Sequence, residues 1–273
     1  MTFMKKIINS VLLNILLVLI VVLTIVPFIY MALTSLRHTY ALDFSFSLRT
    51  MDFKNYVTIF KNYSFFTYLF NSIIVVGGAV IFNIIFSSLA GYSFAKKKFP
   101  GKEFIFWIFL ATMMIPAQVT LIPMFLIMKK VHLLNTSLAL ILPLLDAFGV
   151  FLCRQFMSEG LPDELIEAAK IDGCKEMSIF INIVIPLAKP VLIALAIFTF
   201  ITSWNDFIRP LIFITDETKQ TLTLALSTLQ GNFGTNYGLV MAGATMTFLP
   251  PFLFYAFMQK QFVEGIALSG IKE

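Results

Sequence analysis

Six stretches of this chain are long and apolar enough to cross a lipid bilayer, and nothing else in it restricts the fold as much. They fall at about Val11–Leu33, Leu69–Ala95, Phe104–Met128, Ser137–Met157, Leu187–Ile208 and Gly238–Met258. A helix rises about 1.5 Å per residue, so about 20 residues cover about 30 Å of hydrocarbon. Only a helix satisfies its backbone N–H and C=O groups within its own segment, and the stretches lack the alternation of barrel strands. Composition agrees. Hydrophobic residues make up 59% of the chain and charged ones 13%, where a soluble domain carries about 25%. Soluble globular, disordered, collagen-like and disulfide-scaffold classes are excluded on that ground. The 273 residues, divided by roughly 40–45 per span and loop, return the same number of spans. The expected fold is all-α and integral to the membrane, with six transmembrane helices in a single domain over residues 1–273.

The first stretch follows Lys5 and Lys6 but is longer than a signal-peptide core, and no small-residue cleavage site follows it, so it reads as an uncleaved span. Placing both termini in the cytoplasm puts 12 of the 20 basic residues on the inner side, among them the Lys96–Lys98 cluster and Lys102. That is the orientation the positive-inside rule favours. The long connections are then external at about 34–68 and 210–237 and cytoplasmic at about 158–186. The last external loop is rich in Thr, Gly, Asn and Gln, with little apolar surface to pack on itself. Gly231 and Gly234 in it would allow sharp bends.

The cytoplasmic loop is the most informative segment. Pro162, Asp163 and Glu164 suit a helix start, and Gly173 suits its end. Leu161, Leu165, Ala168 and Ala169 are expected on one face. A second amphipathic piece with Met177, Phe180, Ile181 and Val184 runs to Pro186. The two small alanines give the first helix a low profile that fits a groove on a partner. A hairpin resting on the membrane is the other reading.

Glu167-Ala168-Ala169, Gly173, Ile183 and Ile185-Pro186 stand at the spacing E-A-A-x3-G-x9-I-x-L-P, with Ile185 the one departure. This resembles the EAA loop of importer-type ABC permeases. Trp204-Asn205-Asp206-Phe207 and Met114-Ile115-Pro116-Ala117-Gln118 look like stretches of carbohydrate importers of the maltose-permease type, and the tail from Gln259 is similar to that of their smaller subunit. The resemblance implies an ABC importer type I permease fold in a bacterial plasma membrane. It implies four kinds of partner: a second, homologous permease chain, two ATP-binding subunits, an extracytoplasmic solute-binding protein and a carbohydrate, an oligosaccharide by expectation. Glu167, Ala168, Ala169, Asp172 and Gly173 would couple to the ATPase, and Trp204, Asn205 and Asp206 would lie on the translocation path or gate.

The chain has no G-x-x-x-x-G-K-[ST] phosphate loop, so it is expected not to be an enzyme, to hold no cofactor, and to leave ATP and Mg to partner subunits. His38 and His132 stand alone, and Cys153 and Cys174 form no C-x-x-C, so no metal site or disulfide framework is expected. For Asn205 and Asp206, path contact and simple pairing of Asp206 with Arg209 are both open. For Asp146, helix–helix hydrogen bonding and path contact are both open. Gly77, Gly78 and Gly91 read as close-packing positions, with a hinge as the other reading. Two other functions stay in view: import of a non-sugar solute such as glycerol phosphate, and ion-coupled secondary transport, which would leave the EAA spacing unexplained.

Overall fold

The computed structural model describes residues 2–40, 51–229 and 236–270, and every regular element among them is a helix. Helix α1 covers Thr2–Ser35, the short α2 covers Lys54–Asn62, and α3 runs unbroken over Phe65–Lys96. The next apolar run was expected as one span, Phe104–Met128. It is instead two helices, α4 (Lys102–Met113) and α5 (Ala117–Lys130), set 102° apart. Pro116 causes the break. It has no N–H to continue the ladder and sits extended at φ −58, ψ 131, while its ring disfavours a helical Ile115.

The fourth run is also bent, by 42°. Helix α6 (Ser137–Ile141) tightens into a 3-10 turn over Leu142–Leu144, and α7 (Ala147–Gly160) restarts after it. Asp146 makes the restart: its backbone is extended and its carboxylate accepts from the Gly149 N–H at 3.1 Å. Asp146 is therefore a helix cap, a local bond in place of the helix–helix hydrogen bond that was one of its two open readings.

After α8 (Asp163–Ile171) and α9 (Glu176–Ile179) comes a π-helical turn over Phe180–Val184, then α10 (Ile185–Leu187) and α11 (Lys189–Trp204). Pro186 would collide with the carbonyl four residues before it in a regular helix. The wider turn, closed by the Ile185 N–H on the Phe180 carbonyl, moves that carbonyl aside. The fifth span was expected to begin at Leu187; the chain turns by 76° at Ala188, just ahead of Pro190. Helices α12 (Ile208–Phe213), α13 (Leu222–Ser227) and α14 (Tyr237–Gly270) complete the described residues. By length and composition Val11–Ser35, Phe65–Lys96 and Tyr237–Gln259 can each cross a membrane, and the count reaches six when each bent pair is one span.

The chain divides into two compact units. One comprises Met1–Phe65 and Leu226–Leu249. Its α1 presents Val11 to Leu23 about half exposed, as a lipid-facing helix does. Its ordered centre is Asn55, which donates to the carbonyls of Ser35 and Arg37, both at 2.8 Å, beside a fully buried Ile59. Gly238 lies against the Arg37 carbonyl so closely that any Cβ would overlap it.

The other unit comprises Phe66–Ala225 and Pro250–Glu273. In it α3 packs on α6 and α7 through small residues. A Cβ on Gly78 would meet Ile141 at 2.6 Å, one on Gly91 would meet Cys153 at 2.5 Å, and one on Gly149 would meet Ser87 at 2.3 Å. The close-packing reading holds for Gly78 and Gly91 but not for Gly77, where an added Cβ would meet nothing within 4 Å because that position turns away from α6. Arg154 of α7 grips Glu103 of α4 with one nitrogen on both carboxylate oxygens, at 2.9 and 2.8 Å, and lies 3.7 Å over the Phe106 ring.

The segment expected as a polar external loop with little apolar surface is largely packed down. Phe213, Ile214, Leu222, Leu224 and Ala225 are all buried. Asn71 donates to the carbonyls of Thr218 and Gln220 at 2.9 and 3.0 Å, and Leu222 N–H donates to Ser72 Oγ at 2.8 Å. The threonines hid a leucine periodicity that a compositional average does not register. Gly231 and Gly234 lie outside the described residues.

Candidate functional site

The segment 161–187 is built into the second unit. Leu161, Ile166, Ala169, Ile179, Phe180 and Val184 are buried in one cluster with Tyr92 of α3, Cys153 and Met157 of α7 and Leu192 of α11. Burying side chains of that size gives roughly 1.5–3 kcal/mol each, which sets aside the hairpin lying loose on a membrane. Polar contacts fix the same placement. Lys96 Nζ, on a side chain 7% exposed, donates to the Leu161 carbonyl at 2.6 Å and to Asp163 Oδ1 at 2.7 Å. That ammonium holds the Asp163 carboxyl below the usual carboxylate range. Lys97 pairs with Glu176, which also accepts from the Tyr92 hydroxyl at 3.4 Å.

Helix α8 ends as its sequence dictates. Gly173 sits at φ +77, its N–H donates to the Lys170 carbonyl at 3.0 Å, and the Cys174 N–H reaches the Ala169 carbonyl at 3.0 Å. This is a Schellman stop, and glycine takes the left-handed position without cost. Of the five predicted coupling residues, Glu167, Ala168, Asp172 and Gly173 are exposed, whereas Ala169 faces inward at 5% exposure. The expected face of Leu161, Leu165, Ala168 and Ala169 is thus split: Leu161, Ile166 and Ala169 point into the core. Leu165 at 45% and Ile171 at 87% point away from it with Ala168.

Trp204, Asn205 and Asp206 lie at the opposite end of α11, about 24 Å from its start by helical rise. Trp204 is buried at 4%, its ring stacked on Phe200, and its carbonyl accepts from Thr223 Oγ1 at 2.8 Å. Asn205 caps the helix and is exposed. Asp206 Oδ2 lies 3.3 Å from Arg209 Nη1, so the pairing reading is realised. These three residues and the five on α8 are not brought together.

A polar row inside the apolar bundle escaped the sequence reading. Asn83 Nδ2 donates to Thr199 Oγ1 at 2.9 Å, and Ser87 Oγ donates to Asn83 Oδ1 at 2.9 Å, all three side chains buried. Beside them is a cavity of about 420 Å³ lined by Asn83, Ser87, Asp146, Thr112, Phe86 and Phe109 among others, with no Lys or Arg. The available signal was the i, i+4 pair Asn83 and Ser87 within an apolar run. Amides, hydroxyls and a carboxylate beside aromatic rings can bind a neutral, hydroxyl-rich solute, and no group of three or more metal-ligating side chains occurs among the described residues.

Comparison with known proteins agrees with this architecture. The fold matches a chain of a bacterial ABC transporter involved in the import of the acidic polysaccharide alginate, with a TM-score of 0.82 at 24% identity over 93% of this chain and 96% of that one. An arabinooligosaccharides transport system permease protein, AraQ, of Halalkalibacterium halodurans is 38% identical over 239 residues, 87% of this chain and 85% of its own. The lactose transport system permease protein LacG of Rhizobium radiobacter is 33% identical over 252 residues, 92% of each chain. The sn-glycerol-3-phosphate transport system permease protein UgpE of Pectobacterium atrosepticum is 35% identical over 204 residues, 74% of this chain and 72% of its own. Residues 83–267 match the model of the binding-protein-dependent transport system inner membrane component. That match takes in the polar row, the anchored α8 and the whole of α11, and it makes the chain a member of the family of inner membrane components of binding-protein-dependent transport systems.

Proposed function

We propose that this chain is a permease subunit of an ATP-driven importer for a carbohydrate, an oligosaccharide in particular, and that it serves as one permease domain forming half of the pore. The observation that carries this reading is α8: one side is locked into the core, while the other offers Glu167, Ala168 and the 87%-exposed Ile171. An apolar residue so bare beside a small one suits a groove on another protein. We assign that groove to an ATP-binding subunit, where ATP and Mg are held, with the loop 158–186 and both termini in the cytoplasm. A second, homologous permease completes the pore, and a solute-binding protein docks on the outer face, where the segments 34–68 and 210–237 lie.

The cavity beside Asn83 supports the sugar reading. A phosphate-bearing solute such as glycerol phosphate would call for a basic group in its lining, and the lining holds none. The permeases of arabinooligosaccharide and lactose systems among the relatives support a sugar, and Trp204, Asn205 and Asp206 then serve the path or its gate. The test is binding-protein-stimulated ATPase activity of the purified complex across a panel of oligosaccharides and glycerol phosphate. Stimulation by an oligosaccharide, lost in Ala168→Glu with the complex still assembled, supports the reading. Stimulation by glycerol phosphate alone overturns the sugar assignment, and full stimulation in Ala168→Glu overturns the role of α8.

A further inference from the structure

The turn between α3 and α4 encloses a second cavity whose chemistry is the reverse of the first. It has a volume of about 490 Å³, with Lys96, Lys97, Lys98 and Lys102 on one side and Lys170 of α8 on the other. Asp163, Glu167 and Glu176 supply the carboxylates among its lining residues, so five ammonium groups face three acids, an excess of two positive charges. Two of those acids are already engaged, Asp163 by Lys96 and Glu176 by Lys97 and, at a looser 3.8 Å, by Lys170. Lys102 is directed to the uncharged carbonyls of Lys97 at 3.2 Å and Ala95 at 3.5 Å, and no ion pair among the described residues holds Lys98.

Crowded ammonium groups in a concave site repel one another and attract a counter-anion. The place narrows the choice. Apolar α3 ends at Lys96 and apolar α4 begins at Lys102, so the cavity opens at the edge of the hydrocarbon, the level of lipid headgroups. Ammonium donors suit the oxygens of a phosphate, and the cavity leaves room for the rest of a headgroup. We propose that this cavity binds a phosphate-bearing anion, either the headgroup of an acidic phospholipid or free phosphate. The bound anion bridges Lys98 and Lys102 to Lys170, and so fastens α8 to the α3–α4 turn. The inference depends on membrane insertion alone and not on the transported solute.

The test is native mass spectrometry of the full-length chain in neutral detergent, titrated with phosphatidylglycerol, with phosphatidylcholine, and with inorganic phosphate as competitor. Phosphatidylglycerol should be retained over phosphatidylcholine by about fivefold or more, and Lys98→Gln with Lys170→Gln should abolish that preference. Lys129→Gln with Lys130→Gln, at the end of α5, removes equal charge elsewhere and should leave it intact. Phosphate binding that is lost in the Lys98/Lys170 variant, without preference between the lipids, assigns the site to free phosphate. Equal retention of both lipids with no effect of phosphate overturns the proposal. So does an unchanged Lys98/Lys170 variant, or an equal loss in the Lys129/Lys130 control.

Discussion

Two connecting segments of the second unit, 161–181 and 214–225, differ in what they do with their apolar side chains. In the first, Ile166, Ala169 and Ile179 are buried while Ile171, Met177 and Ile181 stand 87%, 59% and 54% exposed. In the second, Ile214, Leu222, Leu224 and Ala225 are all buried, and the exposed positions are polar: Thr215, Glu217, Thr218 and Lys219. One segment keeps apolar surface in reserve; the other has used all of it on its own unit. A segment that must meet a partner needs both an anchor and a bare side, and only 161–181 has the two together.

The comparison breaks most visibly at Ala169. Ala169→Glu puts an unpaired charge into the core, costing ~4 kcal/mol or more, so little folded protein should be recovered by size-exclusion chromatography. Ala168→Glu, one position away, should elute as the wild type does. Equal recovery of the two variants would refute the inward assignment of Ala169. Next comes Leu222→Ala, a fully buried side chain in the closed segment. It should destabilise by about 2–5 kcal/mol, read as a lower temperature of aggregation in detergent; a change near zero would make 214–225 a mere connector.

Ile171→Ser tests the reserve. With its side chain 87% exposed, it should alter stability by no more than about 0.5 kcal/mol, yet weaken co-purification of the ATP-binding subunit. Retained co-purification would leave the bare side without a use. The cysteines sharpen the same division. Cys174 is exposed and Cys153 is fully buried. An impermeant thiol reagent should label Cys174 in inverted vesicles and not in intact cells, and should leave Cys153 unlabelled in both until the protein is denatured. Labelling of Cys174 in intact cells would reverse the orientation.

The smallest effect is acid loosening of the anchor. Lys96 holds the Asp163 carboxyl below its ordinary range, so the folded chain binds that proton less readily than the unfolded one. The stabilisation is present above the ordinary carboxylate range and is lost as pH falls through the lowered value. Amide exchange at the start of α8 should quicken over that acid interval, and Asp163→Asn should flatten the profile. An identical pH dependence in the variant would locate the titration elsewhere.

What was legible in the sequence was local. The start of α8 at Pro162 and its stop at Gly173 are written in residues that act on their own backbone, and each is found close to its expected place. The buried side of α8 was not legible because Leu161 was counted as part of the helix. It is extended at φ −110, ψ 110, and Pro162 is extended after it, so the helical phase starts anew at Asp163 and turns Leu165 and Ala168 outward. The bend at Pro116 was illegible to hydropathy, which counts apolar residues without regard to direction. The polar row was hidden by distance, since Asn83 and Thr199 lie 116 positions apart and meet only in the folded bundle.

The π turn at Phe180–Val184 has a mechanical meaning. It is one residue more than an α-helical turn would hold, and each residue of an α-helix corresponds to about 100° of rotation about the axis. The rotation between α9 and α10, on either side of that turn, therefore depends on a single surplus residue. Removing one residue there, the exposed Asn182 for instance, would keep the buried Phe180 and Val184 and change that rotation by about a quarter-turn, which sets the bare side of α8 against the core contacts that now fix it. Where the bare side of α8 points is thus set by a count of residues as much as by their kinds.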